Sequence, residues 1–203
     1  MSFITLDFPR EVLEIGSDGQ KGYRRLVKDW ESLERYWRGK NGSGNVYFTA
    51  YGYRALTPPR NHRVDYNTPI IRHFVCDFDC KNFRERGKDI PFEEMHDQVK
   101  RLHQYLLAED TMHGGRMVLS KWHKELNLYS NDPTVAFDTA GMIRIPNSYN
   151  SKRGCWSIPV DTESLMTMTH DDLIDKAQDS IGGFIQHGNK PLRITIPERK
   201  QIF

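Results

Sequence analysis

The chain has 203 residues, and its 29 Lys and Arg against 27 Asp and Glu leave a formal net charge of only +2. A hydrophobic content of 37% and an aromatic content of 11% exclude an intrinsically disordered protein. No apolar run approaches 18 residues and no charged segment precedes an apolar one near Met1, so we expect neither a membrane span nor a signal peptide.

The length predicts a single domain over residues 1–203. Hydrophobic periodicity predicts an α+β fold, a mixed or antiparallel sheet with flanking helices. Helices are predicted over 22–38, over 92–109 and from Thr169 to about Ser180. Strands are predicted at 3–8, 46–53, 69–76, 117–119, 135–138, 142–146, 155–160 and 192–196.

Aromatic residues occur in two of these elements. Trp30 and Trp37 recur at helical spacing, which predicts a packed core in preference to a base-stacking platform. Tyr47, Tyr51 and Tyr53 share one face of a predicted strand, where sheet packing is favoured and base stacking is the alternative.

Two aspartates one residue apart follow the apolar run that ends in FVC. Asp77 and Asp79 lie on the same side of the predicted strand, with their Cα atoms roughly 6.6 Å apart. Carboxylates that close repel each other, which indicates a cation between them. A strand-end pair exposed to water is the plain alternative.

A third candidate carboxylate, Asp138, ends a second apolar run, Val135 to Phe137. Three carboxylates at neighbouring strand ends form an all-oxygen ligand set that suits Mg²⁺ or Mn²⁺, with two ions for displacement at phosphorus. The spacing Cys76-x3-Cys80 suggests zinc instead, but it lacks a second ligand pair. Three cysteines without a secretory signal predict the reducing cytoplasm.

A basic segment then follows Asp138 within a few residues, with the pattern Arg144-x-Pro-x-Ser148-x-x-x-Lys152-x-Gly. Together with the two acidic motifs, in this order, it resembles the small catalytic subunit of archaeo-eukaryotic primases and the primase-polymerases of plasmids and viruses. The resemblance covers about residues 45 to 160. It implies that Asp77, Asp79 and Asp138 are catalytic metal ligands, and that Arg144 and Lys152, with Ser148 nearby, bind nucleoside triphosphates.

The second motif of that family, Ser-x-His after a Gly-rich turn, departs from the pattern here. The Gly-Gly-Arg turn is present, but Ser120 and His123 stand one residue too far apart. Three interpretations stay open: a diverged nucleotide pocket, a minimal enzyme in which His113, Arg116 or His123 binds nucleotide instead, or a protein that has lost part of its nucleotide site. A surface position is the alternative for both histidines.

Basic loops carry the expected contacts to nucleic acid, from Arg54, Arg60, Arg63, Lys81 and Arg84. The sequence thus predicts a metal-dependent DNA primase or primase-polymerase that joins nucleotides on a single-stranded DNA template. A helicase or large primase subunit would be a separate chain. The rival interpretations are a primase-like nucleic-acid-binding module without activity and a metal-dependent nuclease.

Overall fold

The structure is a computed structural model, and its contacts divide the chain into two compact units. It describes residues 6–16, 18–71, 75–80, 84–85, 88–108, 122–132, 135, 138–179, 185–187 and 190–192. The first unit comprises Met1–Ile71, Thr139–Asp161 and Asp171–Phe203, and the second comprises Arg72–Asp138 and Thr162–His170. The one-domain organisation predicted for residues 1–203 stays a prediction.

The first unit is built on a four-stranded antiparallel sheet with the strand order β10-β3-β1-β2. Its strands are β1 (Arg10–Gly16), β2 (Arg25–Val27), β3 (Gly44–Thr49) and β10 (Met142–Arg144). The register places Val12 opposite Phe48, and Phe48 opposite Ile143, so these three side chains share one face of the sheet.

Shorter strands form two-stranded antiparallel ladders. They are β4 (Gly52–Tyr53) with β5 (Pro69–Ile70), β6 (Asp77–Phe78) with β9 (Asn131–Asp132), β7 (Arg84–Glu85) with β8 (Lys88–Asp89), β11 (Tyr149–Asn150) with β12 (Cys155–Trp156), and β13 (Ile185–His187) with β14 (Lys190–Leu192).

Helix α1 (Trp30–Lys40) covers the Val12 face of the sheet. Asp29 caps it, because the Asp29 carboxylate accepts from the Ser32 N–H while the Ser32 hydroxyl accepts from the Asp29 N–H. Leu33 and Trp37 are almost fully buried against the sheet. Burial of an apolar side chain of this size stabilises the fold by about 1.5–3 kcal/mol.

The opposite face of the sheet carries a buried carboxylate. Glu11 on β1 is 0% exposed, and its oxygens accept hydrogen bonds from Arg63 Nε at 2.6 Å, the Tyr66 hydroxyl at 2.5 Å and the Val64 N–H at 3.2 Å. Arg24 Nη1 lies 3.6 Å from the same carboxylate. These contacts fasten the loop 54–68 onto the sheet.

The second unit is organised around α2 (Phe92–Ala108) and a helical turn at 122–125. Leu102, Trp122 and Leu128 form its buried cluster, with the Tyr105 ring 5.8 Å from the Trp122 ring. Helix α3 (Thr162–Thr167) also belongs to the second unit. Helix α4 (His170–Asp179) begins at the last residue of the second unit, and its residues from Asp171 onward belong to the first unit. No helix among the described residues is long and apolar enough to cross a membrane.

Several predictions are confirmed. The fold is α+β, α2 and α4 match the predicted helices within one or two residues, and β10 begins at the predicted Met142. Trp37 is a core residue, and Tyr51 and Tyr53 are buried. The three cysteines are unpaired.

Other boundaries were wrong. Residues 25–27 form β2, and α1 begins only at Trp30, since the Asp29–Ser32 capping box fixes its start. Residues 6–8, the described part of the first predicted strand, are not in a strand, and β1 at 10–16 was missed. The predicted strand 46–53 divides into β3 and β4, while 117–119 lies outside the described residues.

We predict that Glu11→Ala lowers the free energy of unfolding by about 3–5 kcal/mol, because Arg63 and Tyr66 lose a buried ionic partner. Chemical denaturation at pH 7 measures this change. Glu31→Ala, which removes an exposed ion pair with Arg35, is the control and should cost no more than about 0.5 kcal/mol. Equal effects of the two substitutions would contradict the structural role of Glu11.

The same network predicts acid sensitivity. Burial alone would raise the pKa of Glu11, but the hydrogen bonds from Arg63, Tyr66 and Val64 outweigh it and lower the pKa below its ordinary 4.5. The stabilisation is therefore complete above pH 4.5 and is lost as the pH falls through the lowered pKa. The stability difference between the wild type and Glu11→Ala should narrow below that pH.

Candidate functional site

Asp77 lies on β6, in the second unit, and Asp79 follows directly after the end of that strand. β6 pairs with β9, which places Asp77 directly opposite Asp132 and Phe78 opposite Asn131. The Asp79 N–H donates to the Ser130 carbonyl at 3.1 Å, which extends the ladder by one bond. Asp77 and Asp79 thus have a third carboxylate, Asp132, on the neighbouring strand.

The electrostatics of this ladder are unfavourable to Asp77. Partial burial, together with the negative charges of Asp79 and Asp132, raises the pKa of Asp77 above its ordinary value of 3.8. The repulsion between these carboxylates destabilises the ladder at neutral pH. A cation bound between them would remove that cost.

Asp138 is not at the end of a strand. Val135 lies in a single 3₁₀ turn, and the Asp138 N–H donates to the Val135 carbonyl at 3.2 Å. The predicted strand 135–138 is therefore wrong at both of its described residues. Asp132 was missed because Asn131-Asp132-Pro133 is typical of a turn, although the charge next to an apolar stretch was a usable signal.

Across the described ranges, from residue 6 to residue 192 with their gaps, no group of three or more His, Cys, Asp or Glu side chains has an arrangement that could hold a metal ion. The donor chemistry of Asp77, Asp79 and Asp132 suits a hard divalent cation. The closed three-ligand geometry expected of Asp77, Asp79 and Asp138 is not formed by these residues.

Arg144 lies on β10, in the first unit, opposite Tyr47 of β3. Its Nη1 donates to Asn45 Oδ1 at 2.9 Å and its Nη2 to the Tyr47 hydroxyl at 2.8 Å. The guanidinium also stacks over the Tyr47 ring, 4.8 Å from its centre. Both partners are neutral, so Arg144 keeps its full positive charge and further N–H donors for an anion.

The loop after β10 is held by two buried asparagines of the first unit. Asn45 Nδ2 donates to the Ser151 hydroxyl at 2.9 Å, and Asn45 Oδ1 accepts from the Ser151 N–H at 3.0 Å. Asn41 Oδ1 accepts from the Tyr149 N–H at 2.9 Å. The loop is therefore fixed close to Arg144, and Lys152 at its tip is exposed to solvent.

Ser148 is fully buried, and its hydroxyl has no hydrogen-bond partner among the described residues. The neighbouring Asn147 is 2% exposed, adopts φ +63°, and has no partner for either side-chain polar atom in the same part of the chain. In this conformation Ser148 is not accessible to a nucleotide phosphate, unlike Lys152.

The remaining predicted contacts lie in different surroundings. His123 is half-buried in the helical turn of the second unit, whereas Arg54 and Arg60 are exposed in the first. Arg63 is engaged by Glu11 and Tyr66. His113, Arg116 and Lys81 lie outside the described residues, and only the backbone of Arg84 is described.

Comparison with family models, with curated proteins and with solved structures finds no match to this chain.

We predict that Asp77→Asn raises the melting temperature in metal-free buffer at pH 7, because it removes a negative charge next to Asp79 and Asp132. Asp77 is exposed, so the gain should stay below about 1 kcal/mol. It should disappear below pH 3.8, where Asp77 is protonated in both the folded and the unfolded chain. Asp97→Asn on the exposed side of α2 controls for the change in net charge.

We predict that Ser148→Ala leaves the free energy of unfolding unchanged or raises it by up to about 1 kcal/mol, because a buried hydroxyl without a partner is removed. Asn45→Ala is the contrasting variant, and it should cost about 2–3 kcal/mol because it breaks bonds to Ser151 and Arg144. Urea denaturation distinguishes the two. A large loss in Ser148→Ala would mean that the hydroxyl has a structural partner.

Proposed function

We propose that the chain is a template-dependent nucleotidyltransferase of the primase or primase-polymerase type, which joins nucleotides on a single-stranded DNA template. The observation that carries this proposal is the acidic ladder. Asp77 lies on β6 with Asp132 opposite on β9 and Asp79 just after the strand, and partial burial together with the charges of Asp79 and Asp132 raises the pKa of Asp77. A fold keeps such repulsion where a cation or a reaction requires it.

Asp77 and Asp79 are the proposed ligands of Mg²⁺ or Mn²⁺, with Asp138 as the third ligand of the family pattern and Asp132 as the nearer carboxylate. The bound ion would neutralise the triphosphate and activate the attacking 3′-hydroxyl. The chain itself contributes the carboxylates of Asp77 and Asp132, which lie opposite each other on two paired strands.

Arg144 is the proposed phosphate-binding residue. Its orientation is set by Asn45, Tyr47 and the ring beneath it, all of which are neutral. A cation fixed by neutral partners loses none of its charge to an internal ion pair, so it can bind a phosphate group at full strength. Lys152 on the exposed loop is the second proposed contact.

The reaction is attack of a 3′-hydroxyl on the α-phosphorus of an incoming nucleotide. The new O–P bond forms as the bond to the β-phosphate breaks, pyrophosphate leaves, and the hydroxyl proton passes to solvent or to a nearby base. Such a reaction depends mainly on positioning and on electrostatic stabilisation.

A second candidate is a nucleic-acid-binding module of the same type without catalytic activity. It is favoured by one observation, that the described residues hold no closed group of three metal ligands. This candidate predicts binding of single strands without nucleotide incorporation.

The test is extension of a single-stranded template with labelled nucleotides and Mn²⁺ or Mg²⁺, with and without a primer. We expect products from the wild type and from Asp97→Asn. The double variant Asp77→Asn/Asp79→Asn should lose at least about a hundredfold in rate while remaining folded. Arg144→Ala should raise the nucleotide concentration needed for half-maximal rate.

Three outcomes would count against the proposal. Wild-type protein that is folded and binds DNA but makes no product would favour the non-catalytic module. Template cleavage without nucleotides would favour a nuclease. Extension that survives the double substitution would remove the acidic ladder from the mechanism.

A further inference from the structure

An edge strand of the first unit carries a β-bulge. Ile15 pairs with Lys21 and Val12 pairs with Arg25, so the four steps from Lys21 to Arg25 lie opposite only three steps on β1. β2 is the last strand of the sheet order β10-β3-β1-β2. A bulge inserts one residue and redirects the side chains near it, most often at a sheet edge.

The bulge presents Tyr23 to solvent. Tyr23 is 91% exposed, so its ring contributes little to the core. The next residue, Arg24, is turned inward, where its Nη1 donates to the Tyr66 hydroxyl at 2.7 Å and lies 3.6 Å from Glu11 Oε2. The backbone around Tyr23 is therefore held in place while its ring stays free in water.

The surroundings of Tyr23 are basic. Segment 18–28 contains four Lys and Arg and one Asp. Lys21 and Arg25 stand two residues before and two residues after Tyr23, and both are exposed, as is Lys28. These exposed residues are called the basic edge, defined by Lys21, Tyr23, Arg25 and Lys28.

We propose that the basic edge binds single-stranded nucleic acid, with one base stacked on the Tyr23 ring and phosphates paired with Lys21, Arg25 and Lys28. Exposed rings interleaved with cations are how proteins bind single strands without sequence preference. A duplex would not use the Tyr23 ring, because its bases are already stacked on each other. An acidic peptide would bind the cations alone and would not use the ring either. The proposal deepens the proposed function, because a template-dependent enzyme must hold its template.

The test is fluorescence anisotropy with a labelled mixed-sequence single strand of DNA, without metal or nucleotides. Tyr23→Ala should weaken binding about 5- to 100-fold, the range for the loss of one stacked base. Tyr23→Phe keeps the ring and should stay within about twofold of the wild type. Circular dichroism should show all variants folded, since Tyr23 is exposed.

Charge is tested separately. Arg25→Gln should weaken binding and reduce the slope of log affinity against log salt concentration by about 0.7, the value for one phosphate contact to a single strand. Arg35→Gln on α1 is the matched control, because Arg35 is also exposed and lies outside the basic edge. It should leave both the affinity and the slope unchanged.

Several results would overturn the proposal. They are wild-type affinity in Tyr23→Ala, equal affinity for duplex DNA, and displacement of the single strand by polyglutamate at equal charge concentration. The two proposals fail separately. Binding that depends on the Tyr23 ring, without template extension, would support the basic edge and contradict the proposed enzyme activity. Template extension that is unaffected by Tyr23→Ala would support the enzyme activity and contradict the basic edge.

Discussion

The first unit depends on the neutralisation of one buried carboxylate. Glu11 lies on the central strand β1 with no exposed surface, where an unpaired charge would cost several kcal/mol. Arg63, Tyr66 and the Val64 N–H satisfy it, and all three come from the loop 54–68. If the loop left the sheet, the Glu11 carboxylate would lose these hydrogen-bond donors. Arg24, which precedes β2, contacts the same carboxylate.

The neighbouring Arg10 shows the same constraint with the opposite charge. It is 1% exposed, and its guanidinium donates to the carbonyls of Asp7 and Thr49 and lies over the Phe48 ring. Burial lowers its pKa to about 10. Because Arg10 and Glu11 are adjacent on a strand, their side chains point to opposite faces, and each face of the sheet needs its own polar partners.

These buried charges explain which parts of the fold could be predicted from the sequence. α2 follows a regular helical period and was found to within one residue at its C-terminal end. β1 was missed because REVLEIG puts Arg10 and Glu11 where a buried strand is expected to be apolar. Contacts with residues distant in sequence, Arg63 for Glu11 and Thr49 for Arg10, make these positions compatible with a core.

In the candidate site too, the local spacing of residues could be predicted from the sequence, but the pairing of strands could not. Asp77 and Asp79 were identified from spacing alone, but the short strand β6 contains Asp77 and ends before Asp79. The partner strand depends on pairing between β6 and β9, which spacing within one segment does not determine. The sequence therefore did not reveal Asp132 as a neighbour of Asp77. Ser148 was predicted to lie near the bound nucleotide, but its side chain is buried.

Charge balance distinguishes structural from functional clusters in this chain. Arg63 and Arg24 lie close to the Glu11 carboxylate, so its negative charge is neutralised within the fold. Among the described residues, the side-chain partners of Arg144 are the neutral groups of Asn45 and Tyr47.

Partial burial and the like charges of Asp79 and Asp132 raise the pKa of Asp77. A cationic side chain held by neutral groups, such as Arg144, suits an anion. A carboxylate with like charges beside it, such as Asp77, suits a cation.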